Sequence, residues 1–344
     1  MPPEPAVRLV AAAGRGWVAK AAVSLVERMA PWKRGQLAVL TYHRVDRPDA
    51  RPDLMPGLIS ATPEAFAEQV AALASRYNPV SLAQVLDALH EPRRLPERAV
   101  LITFDDAYTD FADHAWPVLR AAGVPATLFV PTAFPDRPGA AFWWDRLWRA
   151  VTTSASPSVH VDSEVQLPLG TPDERARAMT TLRARIKAMP HDRAMDAVDR
   201  LTAELDPDSR GPTAAPSVLG WDALRGLAAE GVTMASHTRT HPLLDRVSPE
   251  VAIEEIAGGR TDLEREVGPT PPVLAYPSGA HGGAAVDAAR RAGMVLAVTT
   301  ERGGNDLRNA EPLLIRRINV GRRTAVPLVR AQLVWASAVD ARRG

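Results

Sequence analysis

The sequence predicts an α/β domain built on a parallel sheet, with the geometry of a complete or open barrel and a largely helical insertion in its middle. Three observations predict it. Short continuous apolar runs, which suit strands buried on both faces of a parallel sheet, recur at 37–42, 99–104, 126–130, 232–236, 273–276 and 295–299. Segments with helical spacing and recognisable caps separate them, the alternation that gives parallel pairing through right-handed crossovers. About seven such units favour a barrel over a small doubly wound sheet.

Taken in order, residues 1–35 form an N-terminal segment in which Val10, Trp17, Val23, Leu25 and Trp32 are spaced for an amphipathic helix. Such a helix either packs on the domain or lies on a membrane surface. The main domain spans 36–330. Its first strand delivers His43, and residues 46–61, rich in Pro and Asp, read as a loop. Thr62-Pro63 starts a helix with a capping hydroxyl and Pro at the first helical position, and Phe66, Val70 and Leu73 form its buried stripe. Ser81 and Gln84 make a capping box for a helix that turns Leu82, Val85, Leu86 and Leu89 inward.

Strand 99–104 comes next, followed by a helix with Trp116, Leu119 and Ala122 that Gly123 ends, and then strand 126–130. From about 136 to 216 the rhythm breaks. Phe142-Trp143-Trp144, Trp148 and a helical pattern in Met179, Leu182, Ile186 and Met189 define the insertion. Its tryptophans either bury its own underside or stack on sugar rings. The rhythm then resumes. A helix from Trp221 stops at Gly231, strand 232–236 ends at His237, and Ser248-Pro249 opens a long helix with Ile253, Ile256, Leu263 and Val267 inside. Strand 273–276, a helix over 284–292 that ends at Gly293, and strand 295–299 complete the series, and 331–344 is a C-terminal tail.

Composition narrows the chemistry. The net charge is +1, which offers no global attraction to nucleic acid, and all but three of the 41 basic residues are arginine. There is no cysteine, so disulfides and thiolate metal sites are excluded and any metal must rest on histidine and carboxylate. Charged residues interrupt every apolar run near the N-terminus, and no stretch reaches bilayer length. A cytoplasmic protein, or one at the inner face of the membrane, is the expectation.

Two constellations carry chemistry. Asp105 and Asp106 sit side by side where a buried strand ends, the edge at which parallel α/β folds build their sites. His237 and His241 are four apart, the spacing that puts two imidazoles on one face of a helical turn. Two imidazoles and a carboxylate from another strand end leave one open position on a zinc-type ion, as a hydrolytic metal needs. Of two adjacent acids, one can stay bound to the metal while the other accepts a proton from water.

Thr103-Phe104-Asp105-Asp106-Ala107-Tyr108 resembles the first motif of the polysaccharide deacetylase family (carbohydrate esterase family 4, the NodB homology domain). Ser236-His237-Thr238-Arg239-Thr240-His241-Pro242 is similar to its second motif. Leu274-Ala275-Tyr276-Pro277-Ser278-Gly279 and Tyr42-His43-Arg44-Val45 are similar to regions of the poly-N-acetylglucosamine deacetylase subgroup. The resemblance covers roughly 37–135 and 217–320. It implies a distorted (β/α)7-type barrel and metal-dependent removal of an N-acetyl group from an amino sugar of a polysaccharide, glycolipid or glycan precursor.

Carried over residue by residue, Asp105 is the general base, and Asp106, His237 and His241 hold a divalent metal, zinc before cobalt or nickel. His43 protonates the departing amine, and Tyr276 lends a backbone N–H to the oxyanion. Three departures stand out. Ala107 replaces the usual Gly, which matters if the backbone there has positive φ. Ser278 replaces an aromatic, which widens the groove. The third-motif arginine is missing, leaving Arg316 or Arg317 as the candidate that orients Asp105. The competing readings are a deformylase or cyclic-amide hydrolase on the same fold, and an inactive carbohydrate-binding protein.

Overall fold

The computed structural model describes Glu27 and residues 32–161, 165–206 and 215–340. In chain order its strands and helices are β1 (Gln36–Tyr42), β2 (Arg44–Val45), β3 (Ile59–Ala61), α1 (Pro63–Arg76), β4 (Asn78–Pro79), α2 (Leu82–His90), β5 (Ala99–Phe104), α3 (Trp116–Ala121) and β6 (Thr127–Val130). The insertion holds α4 (Trp143–Thr153), β7 (Ser158–His160), β8 (Gln166–Pro168), α5 (Pro172–Ala188) and α6 (His191–Leu205). Then come α7 (Trp221–Ala229), β9 (Thr233–Ser236), α8 (Pro249–Glu266), β10 (Val273–Ala275), α9 (Gly283–Arg291), β11 (Leu296–Arg302), β12 (Asn305–Asp306), β13 (Ile315–Asn319) and α10 (Val326–Asp340).

Seven parallel strands close on themselves in the order β1-β13-β11-β10-β9-β6-β5, and β5 returns to β1 over the full register from Leu37↔Ala99 to Tyr42↔Phe104. Short β4 and β12 add to the edges of β5 and β1 at their N-terminal ends. This is the distorted (β/α)7 barrel that the sequence motifs imply. Alternation of side chains along each strand sorts the core into two layers. Leu37 and Val39, Ala99 and Leu101, Val273 and Ala275, and Leu296 and Val298 share one cluster with Leu82, Val85 and Ala88 of α2. Their neighbours Ala38, Leu40, Val100 and Ile102 join the outer layer under the helices. The same period carries Thr103 and Asp105 to the inner face, at the C-terminal mouth.

The helix boundaries follow local chemistry. Thr62 Oγ1 accepts from the Ala65 N–H at 3.3 Å, and Ser81 and Gln84 form the reciprocal capping box at 3.2 and 2.9 Å. Gly123, Gly231 and Gly293 follow α3, α7 and α9 with φ of 63°, 103° and 76°, the left-handed turn that ends a helix at little cost when no Cβ is present. In α2 the buried positions are Leu82, Val85 and Ala88, while Leu86 and Leu89 are only half-buried.

Two segments differ from expectation. The 46–61 loop contains a short strand, β3, that pairs with β2, and the Ser60 hydroxyl accepts the His43 N–H at 3.0 Å. Residues 331–340, expected as part of a C-terminal tail, continue α10, and Leu333 and Ala336 are buried with Val329 in the main core. Arg330 on this helix pairs with buried Glu27, which also accepts from Tyr77 Oη. The expected N-terminal amphipathic helix otherwise lies outside the described residues. No helix among the described residues is long and apolar enough to cross a membrane.

The insertion is largely helical, as expected, and docks through polar as well as apolar contacts. Asp145, buried on α4, accepts from the Met55 N–H and from Tyr108 Oη, both at 2.7 Å, and Trp144 Nε1 donates to the same Tyr108 oxygen at 2.9 Å. Arg175 donates to the carbonyls at the C-terminal end of α4, at Val151 and Thr152 and at Ser154, which caps the helix. Those carbonyls have no partner within their own helix.

Candidate metal centre

The loops after β5 and β9 meet above the barrel mouth. Asp106 Oδ1 lies 3.5 Å from His237 Nε2 and 3.4 Å from His241 Nε2. The three side chains are buried, and their donor atoms all fall within 4.8 Å of one another. Asp106 Oδ1 has no hydrogen-bond partner. A buried carboxylate oxygen left without one is costly, and a cation between the three donors removes that cost. The donor set therefore fits a divalent metal.

The neighbours prepare these ligands. The His237 N–H donates to Val130 on β6 at 3.0 Å, and its Nδ1 lies 2.7 Å from the Ala275 carbonyl of β10, which turns Nε2 toward Asp106. Fixing the tautomer from behind is a usual support for a metal-binding imidazole. Burial and the neighbouring His237 push His241 down to about 3, so its ring is neutral and free to ligate. Burial alone would raise the Asp106 carboxyl, but the flanking imidazoles hold it below the usual range.

His237 and His241 do not sit on a helical turn, contrary to the reading of their spacing. The 237–241 segment is a loop in which Thr238 and His241 adopt φ of 66° and 62°. The Glu255 carboxylate of α8 accepts from the Arg239 and Thr240 N–H groups at 2.9 and 2.8 Å, and Thr238 Oγ1 accepts the His241 N–H at 3.1 Å. Gly259 lets α8 come this close, since a Cβ there would lie 2.8 Å from the Thr238 carbonyl carbon. Six non-glycine residues have positive φ among those described, and five of them (Asp106, Ala107, Thr238, His241 and Ser278) belong to the motif loops. Strain of this kind, about 1–3 kcal/mol per residue, collects where a site dictates the backbone. Ala107, at φ 51°, is the replacement for the usual Gly.

Arg317 on β13 settles what holds Asp105. Its two terminal nitrogens donate to Oδ1 and Oδ2 at 2.8 and 2.7 Å, while Nε donates to the Thr299 carbonyl at 2.7 Å. Arg317 is fully buried, and Arg316, the other candidate, points to Glu301. Burial would raise the Asp105 carboxyl, but Arg317, with His237 adding to it, holds it far below the carboxylate range. The pairing favours the ionised form of Asp105.

His43 stands at the end of β1 on the wall of a cavity of about 870 Å³, and it is near enough to lower the carboxyl pKa of both Asp105 and Asp106. Tyr276 does not fit the role assigned to it. Its N–H donates to the Val298 carbonyl at 3.1 Å, so that donor is committed to the β10–β11 ladder. Its ring points outward among Ile256, Ala285 and Met294.

Sequence reasoning missed what the insertion contributes. The Trp144 and Phe142 rings lie 5.0 and 5.9 Å from the His241 ring, and Lys187 Nζ donates to Ser278 Oγ at 2.9 Å. Burial and nearby Arg183 push Lys187 down to about 8, against the pull of Asp106. The signal available was composition: Lys187 is one of three lysines in an arginine-rich chain.

The comparisons with known proteins agree with this geometry. The sequence profile described as polysaccharide deacetylase matches residues 93–297. Poly-beta-1,6-N-acetyl-D-glucosamine N-deacetylase of Escherichia coli K12 is 34% identical over 109 residues, which is 31% of this chain and only 16% of that protein's length. In fold, the chain is similar to Streptococcus pyogenes deacetylase PplD in complex with acetate (TM-score 0.59, 19% identity, 87% of this chain and 98% of that one). IcaB from Ammonifex degensii is similar to a like degree (TM-score 0.54, 18% identity, 87% and 97%). A profile match over more than half its length, on a closed seven-stranded barrel bearing both metal-site motifs, places this chain in the polysaccharide deacetylase family.

Proposed function

We propose that the chain is a metal-dependent hydrolase that removes N-acetyl groups from an amino sugar. The observation that carries the proposal is the convergence of Asp106, His237 and His241 beside a carboxylate, Asp105, that Arg317 keeps ionised. Support also comes from the name of the curated relative, an N-deacetylase, and from the acetate held by the S. pyogenes neighbour. Two imidazoles and one carboxylate suit zinc, with cobalt or nickel as substitutes. When bound, the ion supplies Lewis acidity to the amide carbonyl and to the attacking water.

The chain's own residues do the rest. Asp105 accepts the proton that water gives up as its oxygen bonds to the acetyl carbon. The bidentate Arg317 pair holds the carboxylate in place during that transfer. His43, from the cavity side, delivers a proton to the amide nitrogen as the C–N bond breaks, releasing acetate and a free amine. Phe142 and Trp144 cover His241 and keep bulk water from that side of the site.

Acetate release from N-acetylglucosamine oligomers tests this directly, with N-formyl sugars and cyclic amides as competing substrates. The proposal expects turnover of the N-acetyl sugars that Asp105→Asn abolishes and a chelator suppresses. Sugar binding with no turnover in metal-loaded protein would contradict it.

A further inference from the structure

The 870 Å³ cavity begins at His43. Arg183, Arg322 and Arg323 line it, and no carboxylate does. By contrast, Arg44, Arg51, Arg239, Arg317 and Arg330 each hold a carboxylate. Among the described residues the side chains of Arg183, Arg322 and Arg323 make no hydrogen bond or ion pair, and Arg183 Nε is sealed from solvent with no acceptor. A guanidinium nitrogen buried without an acceptor is costly to the fold; the three guanidinium groups as a set bring positive charge to the cavity wall with no carboxylate there to neutralise it.

The placement ties this charge to the reacting centre. Arg183 and Lys187 are four apart on α5, hence on one face of that helix. Lys187 reaches Ser278 beside the metal-site loops while Arg183 faces the cavity, so a single helix spans the two. Arg322 and Arg323 enter from the loop between β13 and α10, whose N-terminal end adds positive potential. Trp148 supplies an aromatic wall. Guanidinium groups favour phosphate oxygens through paired N–H donors, and three of them match a diphosphate better than the single charge of a carboxylate.

We propose that this cavity binds the diphosphate of an N-acetylated amino sugar carried on a diphosphate, with the sugar pointing past His43 to the metal centre. The substrate class rests on the deacetylase reading above; the diphosphate site rests on the cavity alone. A nucleoside diphosphate and a prenyl diphosphate present the same group, so the carrier is left to experiment.

The test uses full-length, metal-loaded protein, compared with Arg322→Gln/Arg323→Gln, whose side chains are exposed on a loop, and with Arg183→Gln. Inorganic pyrophosphate binding is read by calorimetry. Acetate release is read for a nucleoside diphosphate N-acetylhexosamine, a prenyl diphosphate N-acetylhexosamine in detergent, and a neutral N-acetylglucosamine oligomer. The proposal expects pyrophosphate to bind the wild type and to lose at least about tenfold in affinity in either variant, as expected when charge-assisted hydrogen bonds are removed. The ratio of kcat/KM for the diphosphate sugars over the neutral oligomer falls with it, and the better of the two diphosphate sugars identifies the carrier. Pyrophosphate binding that is absent, or unchanged in both variants because it sits on the metal, would overturn the proposal. So would equal kcat/KM for neutral and diphosphate sugars in all three proteins, a result that leaves the deacetylase reading standing. Arginine-dependent pyrophosphate binding with no acetate released from any sugar would uphold the cavity and defeat the deacetylase reading instead.

Discussion

The barrel and the insertion build the site in opposite ways. In the barrel, each functional side chain stands on a buried strand or just past its end, and the parallel ladder fixes its position: Asp105 and Asp106 follow β5, His237 follows β9, and Arg317 lies within β13. In the insertion, Trp144, Arg183 and Lys187 reach the same region only because helices far along the chain fold back onto it. Lys187 is 91 residues from Ser278, its partner. The difference teaches that the barrel determines what chemistry is possible, while the insertion determines what the reacting centre is exposed to.

The comparison breaks most visibly at Arg317. Arg317→Met leaves Asp105 buried and unpaired, and removing one partner of such a pair costs about 3–5 kcal/mol. Denaturant unfolding reads that loss, together with collapse of acetate release. If the variant keeps both stability and turnover, the barrel does not govern the site.

On the insertion side, Asp145 offers a sharper probe. Burial pushes its carboxyl up to about 7 against the hydrogen bonds from Met55 and Tyr108. A raised carboxyl pKa favours the folded state at low pH, and that advantage is lost as pH rises from the unfolded value of about 3.9 toward 7, by about 1.4 kcal/mol per unit. Asp145→Asn keeps the shape and removes the titration. The stability difference between wild type and variant is expected to change across that window and to level off above it; a difference independent of pH would show that Asp145 is not held protonated there.

Smaller effects belong to the loop that carries the histidines. Gly259→Ala pushes a Cβ into the Thr238 backbone and is expected to weaken metal binding about 10–100-fold, the range for outer-shell changes, with the barrel intact by circular dichroism. Glu255→Gln keeps one acceptor for the Arg239 and Thr240 N–H groups and should fall at the low end of that range, near tenfold. Metal titration with a competing chelator ranks the two, and the reverse order would place loop control in Glu255 rather than in the close helix approach.

Much of this was legible in the sequence because it depends on local pattern. Apolar runs ending at Asp105 and His237 announced strands with chemistry at their C-terminal ends. Thr62, Ser81 and Gln84 announced helix starts with the hydrogen bonds now seen. What the sequence hid depends on backbone states or distant partners. Nothing in Thr238 or His241 signals positive φ, so their spacing read as a helical turn. Ladder register decides that the Tyr276 N–H goes to Val298, and neighbouring residue types do not reveal register. Arg316 and Arg317 looked alike until side-chain alternation along β13 turned one outward to Glu301 and the other inward to Asp105. Arg183 and Lys187 were unremarkable cations on a helix until the fold set one in the cavity and the other beside the metal centre.

Elemental analysis of chelator-free protein tests the central claim most directly, with wild type beside His237→Ala, His241→Ala and Asp105→Asn. The account predicts about one divalent metal per chain in wild type and in Asp105→Asn, and its loss in both histidine variants, because binding energy resides in the ligands and not in the base. Metal retained at full stoichiometry in His237→Ala, or absent from reconstituted wild type, would contradict it.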